Sequence, residues 1–175
     1  MELQGDIITL KSITSNEVTP SYLGWLQDPE VMQGIETSGY TMENLISYVE
    51  SKIKDVDVVF FAIWSNDTQQ HIGNLKFEIT DKKAQVADLG LLIGNKNYWN
   101  KGVGKEACKL GIKYVFNVLN MRKIYLAVYE NNPNARVLYE KLGFKLEATL
   151  RKHVLVNGHF YDKYLMGLFK DEFTA

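Results

Sequence analysis

Apolar positions along the chain change their period repeatedly, and each change marks an element. Met42, Leu45, Ile46, Val49 and Ile53 recur at steps of three or four, so Thr41 opens a helix through about Lys54 with one apolar face. A shorter helix precedes it. Thr19 reads as an N-cap before Pro20 at the first helical position, and that helix runs to about Leu26, with a turn at Asp28-Pro29. The period then falls to two or to continuous β-rich runs: Val58–Ser65, Ile72–Thr80 and Gln85–Ile93 are joined by the polar turns Asn66-Asp67 and Asp81-Lys82-Lys83. Three strands with short connections form an antiparallel meander.

Helical spacing returns from about Gly102, where Val103, Ala107, Leu110, Gly111, Tyr114, Val115 and Val118 share a face. Lys123–Tyr129 follows as a strand, then Pro133–Leu142 as a short helix whose Ala135, Leu138, Tyr139 and Leu142 align, with Gly143 just past its end. Asn157-Gly158 is a hairpin dipeptide between Arg151–Val156 and Phe160–Phe169. The predicted order is strand, two helices, three-strand meander, helix, strand, helix, hairpin. That is a mixed α/β (α+β) architecture with antiparallel and parallel portions.

At 175 residues, with no Pro, Gly or Ser-rich linker and no repeat, a single domain over 1–175 is expected. A net charge of −1 argues against nucleic-acid binding driven by overall basicity. The longest apolar run, Val58 to Trp64, is too short to span a bilayer, and the first residues lack a signal-peptide pattern. The single cysteine, Cys108, rules out an internal disulfide and fits a reducing compartment, so a cytoplasmic location is expected. His71, His153 and His159 are too scattered for a metal site, and none is expected.

The chemistry concentrates in Tyr98-Trp99-Asn100-Lys101-Gly102-Val103-Gly104-Lys105-Glu106-Ala107, which follows a strand and opens a helix. Glycines there let a ligand approach the backbone, and free N–H groups at a helix start attract phosphate. A strand-to-helix turn needing glycine only for shape has the same spacing. Gly102-x-Gly104-x-x-Ala107 also fits the dinucleotide pattern G-x-G-x-x-G/A. That pattern wants a leading βαβ unit and an acidic residue about 20 positions on. Here the preceding strands form a meander, position 122 is Arg122, and Glu130 comes too late.

A third reading, an acyl-CoA site, rests on three blocks in order. Residues 99–104 resemble the R/Q-x-x-G-x-G/A loop of the GNAT acetyltransferases, with Trp99 at the Arg/Gln position. Asn132 to Phe144 is similar to that family's N-x-x-A-x-x-L-Y-E-K-x-G-F segment. Asn157-Gly158 through Asp162 is similar to the N-G-x-x-x-D hairpin of its RimJ/RimL-like branch. The resemblance covers residues 72 to 168. It implies a GNAT fold: a mixed central sheet with an antiparallel N-terminal meander, a splayed parallel pair and flanking helices.

The resemblance also implies roles. Acetyl-CoA is the co-substrate, its pyrophosphate held by main-chain amides of Asn100, Lys101, Gly102, Val103, Gly104 and Lys105. Pantetheine lies in the gap beside Leu91, Leu92 and Ile93, with the Leu92 N–H polarising the acetyl carbonyl and Asn132 and Ala135 close by. Tyr139 is the general acid for the departing thiolate, a phenol protonated at neutral pH. Read from the residues alone, Tyr139 is an aromatic on a buried helix face, and Asn132 is equally a helix cap. The base is left open among Asp88, Glu78 and a water chain. Cys108 is expected to pack.

On the acceptor side, Tyr22 to Met32 resembles the Y-x-x-W-L-N-D-P-E-V segment of RimJ/RimL-like enzymes, some of which acetylate nucleotide-linked amino sugars. Trp25 and Tyr40 are candidates to stack on a substrate, Glu30 and Glu36 to attract an ammonium, and Glu78 and His159 to line the cleft. The expected activity is acetyl transfer to a primary amine, first a nucleotide-linked amino sugar or other small amine. Protein N-termini, ribosomal ones included, and polyamines are the alternatives, and a non-catalytic acyl-CoA-binding module the rival class. A small-molecule amine is the expected partner, with no nucleic acid or membrane, and a homodimer is compatible with the resemblance.

Overall fold

Two short strands, β1 (Glu2–Gln4) and β2 (Ile8–Ser12), open the computed structural model, which describes residues 1–34 and 39–174. Helices α1 (Pro20–Gln27) and α2 (Met42–Lys54) come next, then strands β3 (Val58–Ser65), β4 (His71–Asp81) and β5 (Val86–Ile93). Helix α3 (Val103–Asn117), strand β6 (Lys123–Tyr129), helix α4 (Pro133–Lys141) and the hairpin β7 (Lys145–Val156)–β8 (His159–Phe169) complete the order. The strands form one eight-stranded sheet, β1-β2-β3-β4-β5-β6-β8-β7. Only β5 and β6 run parallel; every other neighbouring pair is antiparallel. The mixed sheet and its N-terminal meander follow the expectation.

Local chemistry sets the helix starts. The Thr19 hydroxyl accepts from Tyr22 N–H, and Thr41 and Asn44 cap one another's backbone at 3.3 and 2.8 Å. Asn132 Oδ1 accepts from Ala135 N–H at 3.2 Å, so its capping role is realised. Asn157 and Gly158 both have left-handed φ, 50° and 79°, which a two-residue hairpin requires.

The central strands of the sheet are covered on both faces, while most of β7 is exposed. Side chains alternate along β4: Leu75 and Phe77 pack toward α3, with Ala107, Ile112 and Val115. Lys76 and Glu78 turn the other way and meet Tyr48 and Lys52 of α2. On that second face Leu45 and Val49 of α2 and Tyr22 and Leu26 of α1 cover Phe60 and Ala62.

Some expected faces are rotated. Val118, expected on the apolar side of α3, is its C-cap and is 60% exposed. Ile46 and Ile53 are also exposed, because α2 turns the stripe Leu45, Tyr48, Val49 and Lys52 toward the sheet. The sequence shows a single N-terminal strand where the structure has a hairpin, β1–β2. Strand β7 starts at Lys145 and carries an irregularity between Leu150 and Val154 where Lys152 has φ 50°.

Candidate active site

Strands β5 and β6 part company after three pairs: Val86↔Lys123, Ala87↔Ile124 and Asp88↔Tyr125. Beyond Asp88 no strand among the described residues lies opposite β5 on that side, while its other edge stays paired with β4 to Gly73↔Ile93. The result is a wedge that opens toward the C-terminal ends of both strands.

Which backbone groups face the wedge follows from register. Gly94 N–H donates to Ile72 C=O at 3.0 Å, so bonded pairs recur every second residue as Leu92–Asn74, Gly90–Lys76 and Asp88–Glu78. On the opposite edge Lys123 N–H donates to Gln85 C=O at 3.2 Å, which sends the odd-numbered amides of β5 toward β6. The expectation that Leu92 supplies the polarising N–H therefore fails, because that group belongs to the β4 ladder. Leu91 and Ile93 present their N–H groups to the wedge. The Ile93 carbonyl accepts from the Trp99 indole at 2.7 Å. This explains how tryptophan serves at a position where Arg or Gln was the family pattern: it ties the loop to the end of β5.

The loop continues through Asn100 and Gly102, both left-handed at φ 59° and 83°. Gly102 is the N-cap of α3 and has no side chain to occupy the first-turn amides. Glu106 N–H bonds Gly102 C=O at 3.0 Å, leaving Val103, Gly104 and Lys105 N–H at the open end. The Glu106 carboxylate is engaged elsewhere, accepting from the backbone N–H groups of Asp6 and Ile7. Gly104 lets α3 approach closely, since a Cβ there would stand 3.3 Å from both Leu91 and Leu138. Lys101 lies in the loop, but its ammonium sits over the Tyr98 ring at 5.9 Å.

A cleft of about 970 Å³ runs from this helix start, along Leu91–Ile93, to the face covered by α1 and α2. Asn132, Ala135 and Tyr139 line its α4 side. Tyr139 is 6% exposed, with its ring edge-on to Phe144 at 5.7 Å. Burial, with the nearby Asp88 adding, pushes the Tyr139 hydroxyl well above its ordinary pKa, so it holds its proton. Cys108 is fully buried and its thiol is pushed up to about 12 by burial, so it packs as expected. Asp88 follows the same rule with more force on function. Burial raises its carboxyl to about 6, with Lys76 and Lys163 opposing and Glu78 adding.

Residues 28–34 cross the mouth of the cleft and are tied at both sides. Asp28 and Glu30 both pair with Lys96, at 2.7 and 2.9 Å, on the β5 side. Gln33 Nε2 donates to Asn131 C=O at 2.8 Å on the β6 side.

The expected acceptor residues separate. Tyr40 lines the cleft, its ring 6.5 Å from Tyr48. Glu30 also lines it, sharing the single Lys96 ammonium with Asp28. Trp25 is not a stacking platform: it packs on His71 at 5.0 Å and on Gly94, where a Cβ would stand 2.0 Å from the indole. Glu78 Oε2 is shared by Lys52 at 3.0 Å and Lys76 at 3.2 Å, which hold its carboxyl below the usual range and make it a counter-ion, a poor base. His159 sits exposed at the β7–β8 turn, paired with Val156, away from the cleft. Glu36 lies outside the described residues.

Sequence reading missed Tyr22, Tyr48, Lys52, Asn74 and Lys76, all of which line the cleft. Tyr48 and Lys52 stand three and seven positions after Leu45, on its stripe, which is the signal that could have found them. Asn74 and Lys76 alternate with Leu75 and Phe77, a pattern that reads as a solvated strand face until α2 covers it.

Residues 8–145 match the acetyltransferase (GNAT) domain family. That is well over half of the chain, which therefore belongs to this family and is an N-acetyltransferase. An uncharacterized N-acetyltransferase from a Bacillus subtilis prophage, YokL, is 27% identical over 97% of this chain and 93% of its own length. The spermidine N(1)-acetyltransferase of Escherichia coli is 36% identical, over 48% of this chain and 45% of its own. Among solved structures, the Vibrio cholerae spermidine N-acetyltransferase in complex with CoA and spermine superposes with a TM-score of 0.88 at 22% identity, covering 96% of this chain and 98% of that one. The Vibrio fischeri ribosomal-protein-S5-alanine acetyltransferase gives 0.84 at 17%, covering both chains completely. The eight-stranded open sheet with four helices is the GNAT fold. No described helix is long and apolar enough to cross a membrane, and no described cluster of His, Cys, Asp and Glu could hold a metal.

Proposed function

We propose that this chain transfers an acetyl group from acetyl-CoA directly to a primary amine in a ternary complex, as an enzyme of the RimJ/RimL-like branch. The observation that carries the reading is the wedge beyond Asp88↔Tyr125, which joins the open start of α3 to Tyr139 along the Leu91 and Ile93 amides. Pyrophosphate is held by the Val103, Gly104 and Lys105 N–H groups, where the helix dipole favours anions. Pantetheine fills the wedge, bonding the Ile93 amide, and the Leu91 N–H polarises the acetyl carbonyl as negative charge develops on its oxygen. The amine nitrogen attacks that carbon, the C–S bond breaks, and the thiolate takes the Tyr139 proton. Asp88, directly or through water, takes the proton lost by the amine. Branch membership draws on Asp162 of the hairpin motif, whose carboxylate accepts from Lys152 N–H at 2.8 Å and braces the β7 irregularity.

A nucleotide-linked amino sugar or other small amine is the first acceptor class, since Tyr40 and Tyr48 line the cleft, with Lys76 beside Tyr48. Polyamines are the second, favoured by the spermidine acetyltransferases among the relatives. Release of free CoA thiol across a panel of amino sugars, amino acids, peptides and polyamines tests the activity. No release with any of them, in protein that binds acetyl-CoA, leaves a binding module.

The base has its own signature. With a carboxyl near 6, Asp88 accepts a proton only once ionised, so kcat should rise through about pH 6 and then flatten, until the amine's own ionisation enters. Asp88→Asn should remove that limb and lower kcat by roughly 10²-fold or more. An unchanged pH–rate profile in the Asn variant assigns the base to water.

A further inference from the structure

Strands β5 and β6 lie at the centre of the sheet, yet each carries one exposed residue, Gly90 and Ala127. Both line the cleft. They are also level with one another. Carrying the register Asp88↔Tyr125 on by two residues brings Gly90 abreast of Ala127, just where the strands have parted. Both positions face the α2 side, because Gly90 and Asp88 stand opposite Lys76 and Glu78, whose side chains meet α2.

Neither backbone nor packing accounts for the glycine. Gly90 is not in the left-handed region, and in mid-strand a glycine costs stability unless something must come close. A Cβ there would meet nothing within 4 Å. The other strand glycines among the described residues differ: a Cβ at Gly73 would collide with the Leu92 carbonyl, and one at Gly167 with the Glu147 carboxylate. Lys76, the cross-strand neighbour, does not cover the gap, since its ammonium is drawn to Tyr48 and Glu78 at 3.3 and 3.2 Å. Gly90 and Ala127 thus form the floor of an open bay beside the wedge.

We infer that Gly90 and Ala127 select the acceptor by shape: it carries its amine on a branched carbon, a ring amine or an α-amine, whose second carbon substituent fills the bay. The inference rests on the acetyl-transfer reading for where the nitrogen sits. In that reading the nitrogen reaches both Asp88 and the acetyl carbon beside the Leu91 N–H, and Gly90 stands between those residues on β5. Tyr139 belongs to the core on the α3 side, so the amine approaches from the α2 side, over the bay. A branched carbon there takes the Gly90 Cα and Ala127 Cβ out of water. An unbranched CH₂–NH₂, the terminal group of a polyamine, leaves them wet.

Calorimetry on the protein saturated with CoA tests this without turnover, using isomers of equal charge that differ in branching at the amine. Glucosamine is set against 6-amino-6-deoxyglucose, and 2-aminobutyrate against 4-aminobutyrate. In at least one pair the branched isomer, named first, is expected to bind roughly tenfold tighter or more, the worth of filling a pocket by a carbon or two. Preference confined to the sugars identifies a ring amine, and to the amino acids an α-amine. Gly90→Val should bring that ratio close to one, and Ala127→Val should do the same by filling the bay from the other strand. Unchanged CoA affinity and thermal melts certify the fold of each variant. A smaller or reversed ratio in both pairs, no detectable binding of any of the four, or a preference kept in both variants overturns the bay. Acetyl transfer is read separately. Branched preference without any transfer supports the bay and fails the catalytic reading, and transfer to unbranched amines with no branched preference does the reverse.

Discussion

Tyr139→Phe should lower kcat by roughly 10²–10⁴-fold, the usual worth of a positioned general acid, with little change in acetyl-CoA affinity. The ring stays, so its packing against Phe144 and within the core formed by Cys108 and Leu142 stays too. What leaves is one hydroxyl, kept protonated by burial, with the nearby Asp88 adding. The interaction lost is one that matters as charge builds on sulfur, which is why kcat falls and ground-state binding does not. Single-turnover transfer to an acceptor found in the amine panel is the measurement, because slow product release would mask a chemical defect. Parent-like single-turnover rates in the Phe variant would return Tyr139 to the core.

Gly104→Asp should weaken CoA binding by about two orders of magnitude or more, since like charges in a binding site cost several kcal/mol. The carboxylate would enter at the first turn of α3, among amides that otherwise face phosphate, and the helix start would attract it in the phosphate's place. Gly104→Ala separates charge from bulk. Its Cβ would meet Leu91 and Leu138 at 3.3 Å, so those flexible side chains must yield by a few tenths of an ångström. The Ala variant is therefore expected to lose far less affinity than the Asp variant. Calorimetric titration with CoA, beside thermal melts of both variants, gives the comparison. Equal affinities in a folded Asp variant and the parent would remove this loop from the cofactor site.

Some of this protein is determined by its sequence alone. Helix starts at Thr19, Thr41 and Asn132 and the hairpin turn at Asn157-Gly158 are local events, fixed by a side chain bonding a backbone two or three residues away or by φ preference. The helix start after the glycine loop and the buried face that carries Tyr139 were legible for the same reason: their spacing is contained in single segments. The acceptor wall was not. Tyr48 and Lys52 come from α2, Asn74 and Lys76 from β4, and only packing of that helix on that strand brings them together. Trp25 and His159 look like binding residues in sequence because exposed and buried aromatics, or free and distant imidazoles, are written with the same letters. Tertiary structure put one under α1 against His71 and the other at a hairpin tip. It also chose between Leu91 and Leu92. The two leucines are interchangeable by composition, but sheet hydrogen bonds alternate, and the register with β4 sends one amide into the ladder and turns its neighbour to the wedge.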